Sequence, residues 1–231
     1  MGGKSILAGV VSSLLFMGCA SLSSFQEART MEKGKGRMYV GFTQYSTDST
    51  KFKDPHGTIP VFDIGVRLGV LEKMDLGLRY TIPGAMTGDV KYMFTNRKSK
   101  LGFSTGLKAA YMSIELEVTS GDTVTSKAKT PKIIDVIIPL NVSYYPVEWL
   151  AFTVSPDAAY RTVIGSYMTA GPILGVNGNL KLGKNWGILA EGGWHKAMES
   201  GGPTFVTYSG MLFFPFSINL EKLFKEAAEN M

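Results

Sequence analysis

Asp63, Arg67, Asp75 and Arg79 lie inside the stretch VFDIGVRLGVLEKMDLGLRYTI at 61–82, whose other phase is apolar. Carboxylates and guanidinium groups at this spacing suit three kinds of work: pairing with one another, lining a charged constriction, or supplying acid and base to a reaction. Asp89, Lys91, Lys108, Asp135 and Glu191 fall in the same phase of later segments. The chain has two His. His56 sits in the turn-like Lys53-Asp54-Pro55-His56-Gly57, and His195 follows Glu191 by four positions. A hydrolytic base at His195 needs a nucleophile within hydrogen-bond reach, for which Ser200 and Ser209 are the nearby hydroxyls. Nothing in the spacing fixes that geometry, so the expectation is a protein that is not an enzyme. Cys19 is the one Cys, which excludes an intramolecular disulfide and a cysteine metal cluster. The glycines follow strand phase and form no phosphate or dinucleotide loop, so neither metal nor cofactor is expected.

The elements that must carry these charges have a period of two from residue 37 onward. At 61–70, Phe62, Ile64, Val66, Leu68 and Val70 oppose Asp63, Gly65, Arg67 and Gly69; at 74–82, Met74, Leu76, Leu78, Tyr80 and Ile82 oppose Asp75, Gly77, Arg79 and Thr81. The template recurs at 89–95, 101–111, 134–144, 150–155, 174–182 and 186–195, and with 37–45 and 204–218 it predicts ten strands. Pro156 and Arg161 blur the alternation over 156–168. Connections at 71–73, 96–100, 146–148 and 183–185 are short. Those at 46–58, 114–131, 156–167 and 196–203 are longer and polar, with 83–88 a short exception. Short turns at one end and long loops at the other are the signature of a transmembrane β-barrel, and an even strand count puts both chain ends on the short-turn side.

A soluble barrel alternates too, but with its polar phase outside. Here the polar phase is rich in Gly, Ser, Thr and Asn, as a narrow interior requires. Aromatics end the apolar phase at both levels: Tyr144 and Trp186 near the turns, Tyr80, Tyr111, Trp194 and Tyr208 near the loops. A Lys or Arg facing lipid at mid-depth costs about 2–4 kcal/mol, so the charged phase must face inward. The expected fold is therefore all-β: a transmembrane antiparallel up-and-down barrel over 37–218. Asp63, Arg67, Asp75, Arg79, Asp89, Lys91, Lys108, Asp135 and Glu191 then form a lumen charge network that pairs across strands. The inward glycines Gly65, Gly69, Gly77, Gly106, Gly175 and Gly187 leave room for a small cavity. Beyond the barrel, Leu220, Leu223, Phe224, Ala227 and Ala228 share one face of a short amphipathic helix in 219–231.

The first residues, MGGKSILAGVVSSLLFMGCASLSS, place Lys4 before an apolar run and small residues after it. With Gly18 before Cys19, this resembles a bacterial lipoprotein signal peptide, although Phe16 stands where Leu is usual. The resemblance implies a signal peptide over 1–18, covalent lipid on Cys19 and, with Ala20 following, sorting to the outer membrane. Residues 20–36 then read as a polar periplasmic tether, reaching roughly 55 Å when extended. The body of the chain resembles the small outer-membrane barrels of diderm bacteria as a pattern, without a motif of any one family. That implies a Gram-negative outer-membrane location with both termini periplasmic, and outer-membrane lipid and a periplasmic or surface protein as partners. The net charge of +5 is spread along the chain apart from short clusters such as Arg97-Lys98-Ser99-Lys100, which excludes nucleic acid. The functional expectation is a structural or interaction scaffold. The alternatives are a narrow porin-like solute channel and a lipid-modifying barrel enzyme using His195.

Overall fold

The computed structural model describes residues 22–23, 25–48, 58–82, 84–113, 115–120, 123–129, 132–164, 171–199 and 202–219. The alternating segments form β1 (Lys35–Asp48), β2 (Thr58–Leu71), β3 (Met74–Ile82), β4 (Ala85–Met93) and β5 (Leu101–Met112). A short hairpin follows, β6 (Glu115–Ser120) and β7 (Thr123–Lys129), and then β8 (Lys132–Val147), β9 (Leu150–Ile164), β10 (Gly171–Leu182), β11 (Gly187–Ala197) and β12 (Thr204–Ser217). Ten of these strands close an antiparallel barrel in the order β1-β12-β11-β10-β9-β8-β5-β4-β3-β2. Closure runs from Lys35↔Ser217 to Asp48↔Thr204. No edge is left in the barrel, which a lipid environment requires because it offers backbone groups no other partner.

Three connections differ from the sequence expectation, the first being 83–88, most of which is strand because β4 begins at Ala85. The 156–167 segment is mostly strand, since β9 continues to Ile164 with Pro156 opposite Val176. The 114–131 loop carries β6 and β7, which pair with each other and not with the barrel. Pro139 lies inside β8, where it lacks an N–H for the ladder; the pairing with β5 skips between Thr105↔Leu140 and Lys108↔Ile137. Thr105 Oγ1 donates to the Pro139 carbonyl at 2.8 Å across the gap. The helix expected in 219–231 falls almost wholly outside the described residues, as do Cys19, the signal peptide, His56 and Ser200.

Polarity is inverted relative to a soluble barrel. Val40, Ile64, Leu78, Leu107, Ile138, Val154 and Leu212 project outward and are exposed, as are the aromatics Tyr80, Tyr111, Tyr144, Trp186, Trp194 and Tyr208. The interior is tiered. At the loop end Tyr45, Val61, Met112, Ile133, Ile137, Ile173 and Phe205 meet in an apolar layer with Ala85, Ala159 and Ala197. Charged and amide side chains fill the middle, and Tyr39, Leu189, Met211 and Phe213 form a second apolar cluster toward the turns.

The largest departure concerns the N-terminal segment. Residues read as a periplasmic tether lie inside the barrel, with Leu22, Ser23, Phe25, Gln26, Glu27, Ala28 and Thr30 all buried. The segment runs from Leu22, packed in the loop-end layer, to Lys33, which bridges to Gly69 beside the β2–β3 turn. Its residues find in the lumen what water would otherwise supply, hydrogen-bond partners for a backbone outside any sheet or helix. The tether reading over 20–36 is thereby corrected.

Candidate functional site

Each of the nine charged residues singled out by phase has its side chain buried in the lumen. The β2–β3 register explains how they fit. Arg67 faces Gly77 and spreads over it, while Arg79 faces Gly65, whose open space is taken by the Tyr39 ring. Arg67 bonds Asp75 and grips both Asp89 oxygens, at 2.6 and 2.7 Å. Asp63 accepts from Thr43 Oγ1 at 2.8 Å and from Thr81 Oγ1, with Arg79 Nε at 3.8 Å. Asp135 pairs in bidentate fashion with Arg161, through Nε and NH2 at 2.7 Å each. The glycines thus make space for neighbouring side chains. A Cβ on Gly77 would meet Arg67, one on Gly65 the Tyr39 ring, one on Gly175 the His195 ring, and one on Gly69 the backbone of Glu32. They leave no cavity at these four positions.

The other charged groups turn inward, to the N-terminal segment. Lys108 Nζ and Arg79 NH1 donate to the Ser23 carbonyl at 2.9 and 3.2 Å. Lys91 Nζ donates to the carbonyls of Glu27 and Arg29 at 2.8 and 3.0 Å, and lies 3.5 Å from Asp75. Glu191 accepts from Ser23 Oγ at 2.6 Å and from the Phe25 N–H at 2.7 Å, while Asp75 accepts the Met31 N–H at 3.0 Å. The expected cross-strand network is therefore partly a cradle for another piece of chain. Phe25 shows how firmly it is held. Its φ of 45° is unusual for a residue with a side chain. Conformations of this kind cost of order 1–3 kcal/mol and persist where the surroundings over-determine them. At the turn rim, the hydrogen bond from Lys35 holds the Glu32 carboxyl below its ordinary range, with Arg97 adding to the effect.

Four wall residues escaped the sequence reading of the network. Asp157 and Arg161 were hidden by Pro156, yet they keep the inward phase of Ser155. For Lys181 and Arg37 the acidic partner is Glu27 of the N-terminal segment, at 3.0–3.1 Å and 3.0 Å, and Arg37 also lies over the Phe213 ring of β12 at 4.3 Å. His195 is fully buried, and its partners are Asp157 at 3.1 Å and Asn177 at 3.4 Å. Glu191, expected to orient it, is committed to Ser23 and Phe25. Asp157 Oδ1, Asn177 Oδ1, His195 Nδ1 and Thr207 Oγ1 are buried without a partner among the described residues, which makes this wall a place suited to ordered water. Among the described residues no group of three His, Cys, Asp or Glu side chains is placed to hold a metal ion.

The inverted polarity and the closed ladder decide the class. The chain has the architecture of an outer-membrane β-barrel. No protein-family model matches it, and no curated protein matches it in sequence. Among solved structures it is similar to an outer-membrane channel from Pseudomonas putida F1, at 10% identity over 82% of this chain and 98% of that chain, with a TM-score of 0.44. It is also similar to Ail, the attachment invasion locus protein of Yersinia pestis, at 11% identity over 80% and 99%, with a TM-score of 0.35. The outer membrane protease OmpT from Escherichia coli shares 9% over 84% and 100%, with a TM-score of 0.36. At such distances the likeness has no bearing on activity.

Proposed function

We propose that this chain is an outer-membrane β-barrel lipoprotein whose barrel is a closed scaffold, with β6–β7 presented at the loop end as a contact element for a protein partner. The observation that carries the closed reading is the filled lumen. The described residues of 22–34 run through it from the loop-end layer, which Leu22 joins, to the turn end, and the apolar layer of Tyr45, Val61, Met112, Ile133, Ile137, Ile173 and Phe205 closes the loop end. An ion crossing that layer would shed its water against side chains that offer no replacement. The hydrolase alternative finds little support, because the described partners of His195 are Asp157 and Asn177 and no hydroxyl.

Purified full-length protein in a planar bilayer is expected to show no stepwise conductance. Resolved steps that change on neutralising Arg67 or Arg79 would instead establish the channel. Lipid on Cys19 belongs to the proposal through the residues around it. A mature mass matching the unmodified chain would remove the lipid from this reading.

A further inference from the structure

The lumen wall treats residues 22–34 as a ligand. Lys91, Lys108, Asn179 and Arg97 donate to segment carbonyls, and Glu191, Asp75 and Ser143 accept segment N–H groups. Recognition of this kind reads backbone groups whatever the sequence that carries them. Three consecutive positions are read by side chain as well. The Glu27 carboxylate sits between Lys181 Nζ, at 3.0 Å, and Arg37 NH1, at 3.0 Å. Ala28 is fully buried against Gly102, where even an added methyl on the glycine would come within 3.1 Å of its Cβ. The Arg29 guanidinium lies 3.7 Å from the centre of the Tyr145 ring and donates to the Ser99 carbonyl at 3.0 Å.

From this arrangement we infer that the lumen is a blind peptide receptor, open at the turn end and shut at the loop end. It selects a peptide that bends at an acidic–small–basic triplet, and Glu27-Ala28-Arg29 is its resident occupant. Emptying it opens a chamber and not a pore, because the loop-end layer is built from the strands themselves, Leu22 excepted. The resident segment joins the wall through Lys33 and Gly34, the latter at φ +76°, beside the Gly69 bridge. So short a connection holds it at an effective concentration of order millimolar, and a separate peptide enters only when the resident triplet is impaired. The inference rests on the closed-barrel reading, but its test runs in detergent micelles, so its failure is separate from any bilayer result.

The test uses full-length protein carrying Ala28→Trp, which acts by size, or Glu27→Lys, which acts by charge; should one misfold, the other decides. Retained heat-modifiable mobility on a denaturing gel reports the intact barrel, and trypsin cleavage after Arg29 reports release of the segment. A fluorescent synthetic peptide of residues 22–34 is expected to bind either variant one to one, at least about tenfold more tightly than wild-type protein, as loss of about 1.4 kcal/mol of competition requires. The same peptide with Glu27→Lys is expected to bind at least about tenfold more weakly, the loss of a charge-assisted pair. The inference is overturned if the segment stays trypsin-resistant in folded variants, if released variants bind the peptide no better than wild type, or if binding is indifferent to Glu27→Lys in the peptide.

Discussion

Replacing Arg67 with Met is expected to destabilise the barrel by about 3–5 kcal/mol, the usual cost of removing one partner from a buried ion pair. Among the described residues Arg67 alone bonds both Asp75 and Asp89, and all three side chains are buried. Without it two carboxylates face each other across Gly77, with Lys91 3.5 Å from Asp75 as partial relief. Methionine ends at the level of Nε and leaves the space over Gly77 that the guanidinium filled, so part of the loss is packing and only part is electrostatic. Equilibrium refolding from urea into lipid vesicles measures it. The control is the triple variant Arg67→Met, Asp75→Asn, Asp89→Asn, which removes every charge of the set and is expected to recover the electrostatic part of the loss. If the single variant is as stable as wild type, the central cluster is not a structural pair.

The second large effect comes from the opposite face. Leu78 lies at the middle of β3, projects outward and is flanked across the ladder by Val66. Leu78→Arg is expected to cost about 2–4 kcal/mol in vesicles, the penalty for a cation at the bilayer midplane. In detergent micelles, where the long side chain reaches water readily, the cost is expected to shrink. A soluble barrel would show the reverse, because an exposed Leu78→Arg on a wetted surface is nearly neutral. Equal stability of variant and wild type in vesicles would mean that this band does not face hydrocarbon.

How far these features could be read in the sequence depended on whether their cause was local. Phase was local. Asp63 and Arg67 sit two positions either side of Gly65 in a strand of period two, so their shared inward face followed from the pleat alone. The strand count survived for the same reason, even where boundaries moved by several residues. Pro156 was the exception, because a proline in a strand signals a break unless its missing N–H happens to fall where the ladder tolerates it. The loop-end layer was harder. Ile133 and Ile137 share the inward phase with Asp135, but Ile134 and Ile138 beside them drew the apolar assignment to the outer face. The lumen segment was out of reach. Residues 22–34 have no period and a polar composition, which is what a tether looks like; their partners Asn179, Lys181 and Glu191 lie more than 150 residues away. Only closure of the sheet makes them neighbours. Lys181 offered the one usable signal, an inward cation with no inward acid beside it.

That distance has a consequence for how the molecule is made. The segment that fills the barrel is synthesised first, yet its seat is complete only when β12, the last strand, has paired with β1. Hydrogen bonds such as Ser23 to Glu191, spanning 168 positions, repay nothing until nearly the whole chain is in place. An intermediate with its sheet still open therefore has Lys91, Lys108, Lys181 and Glu191 short of partners. Such a state is soluble at the lumen wall, reluctant to close dry, and relieved by the arrival of the chain's own beginning. Seating of the described residues of 22–34 therefore belongs with closure of β12 on β1, the step that completes their binding wall.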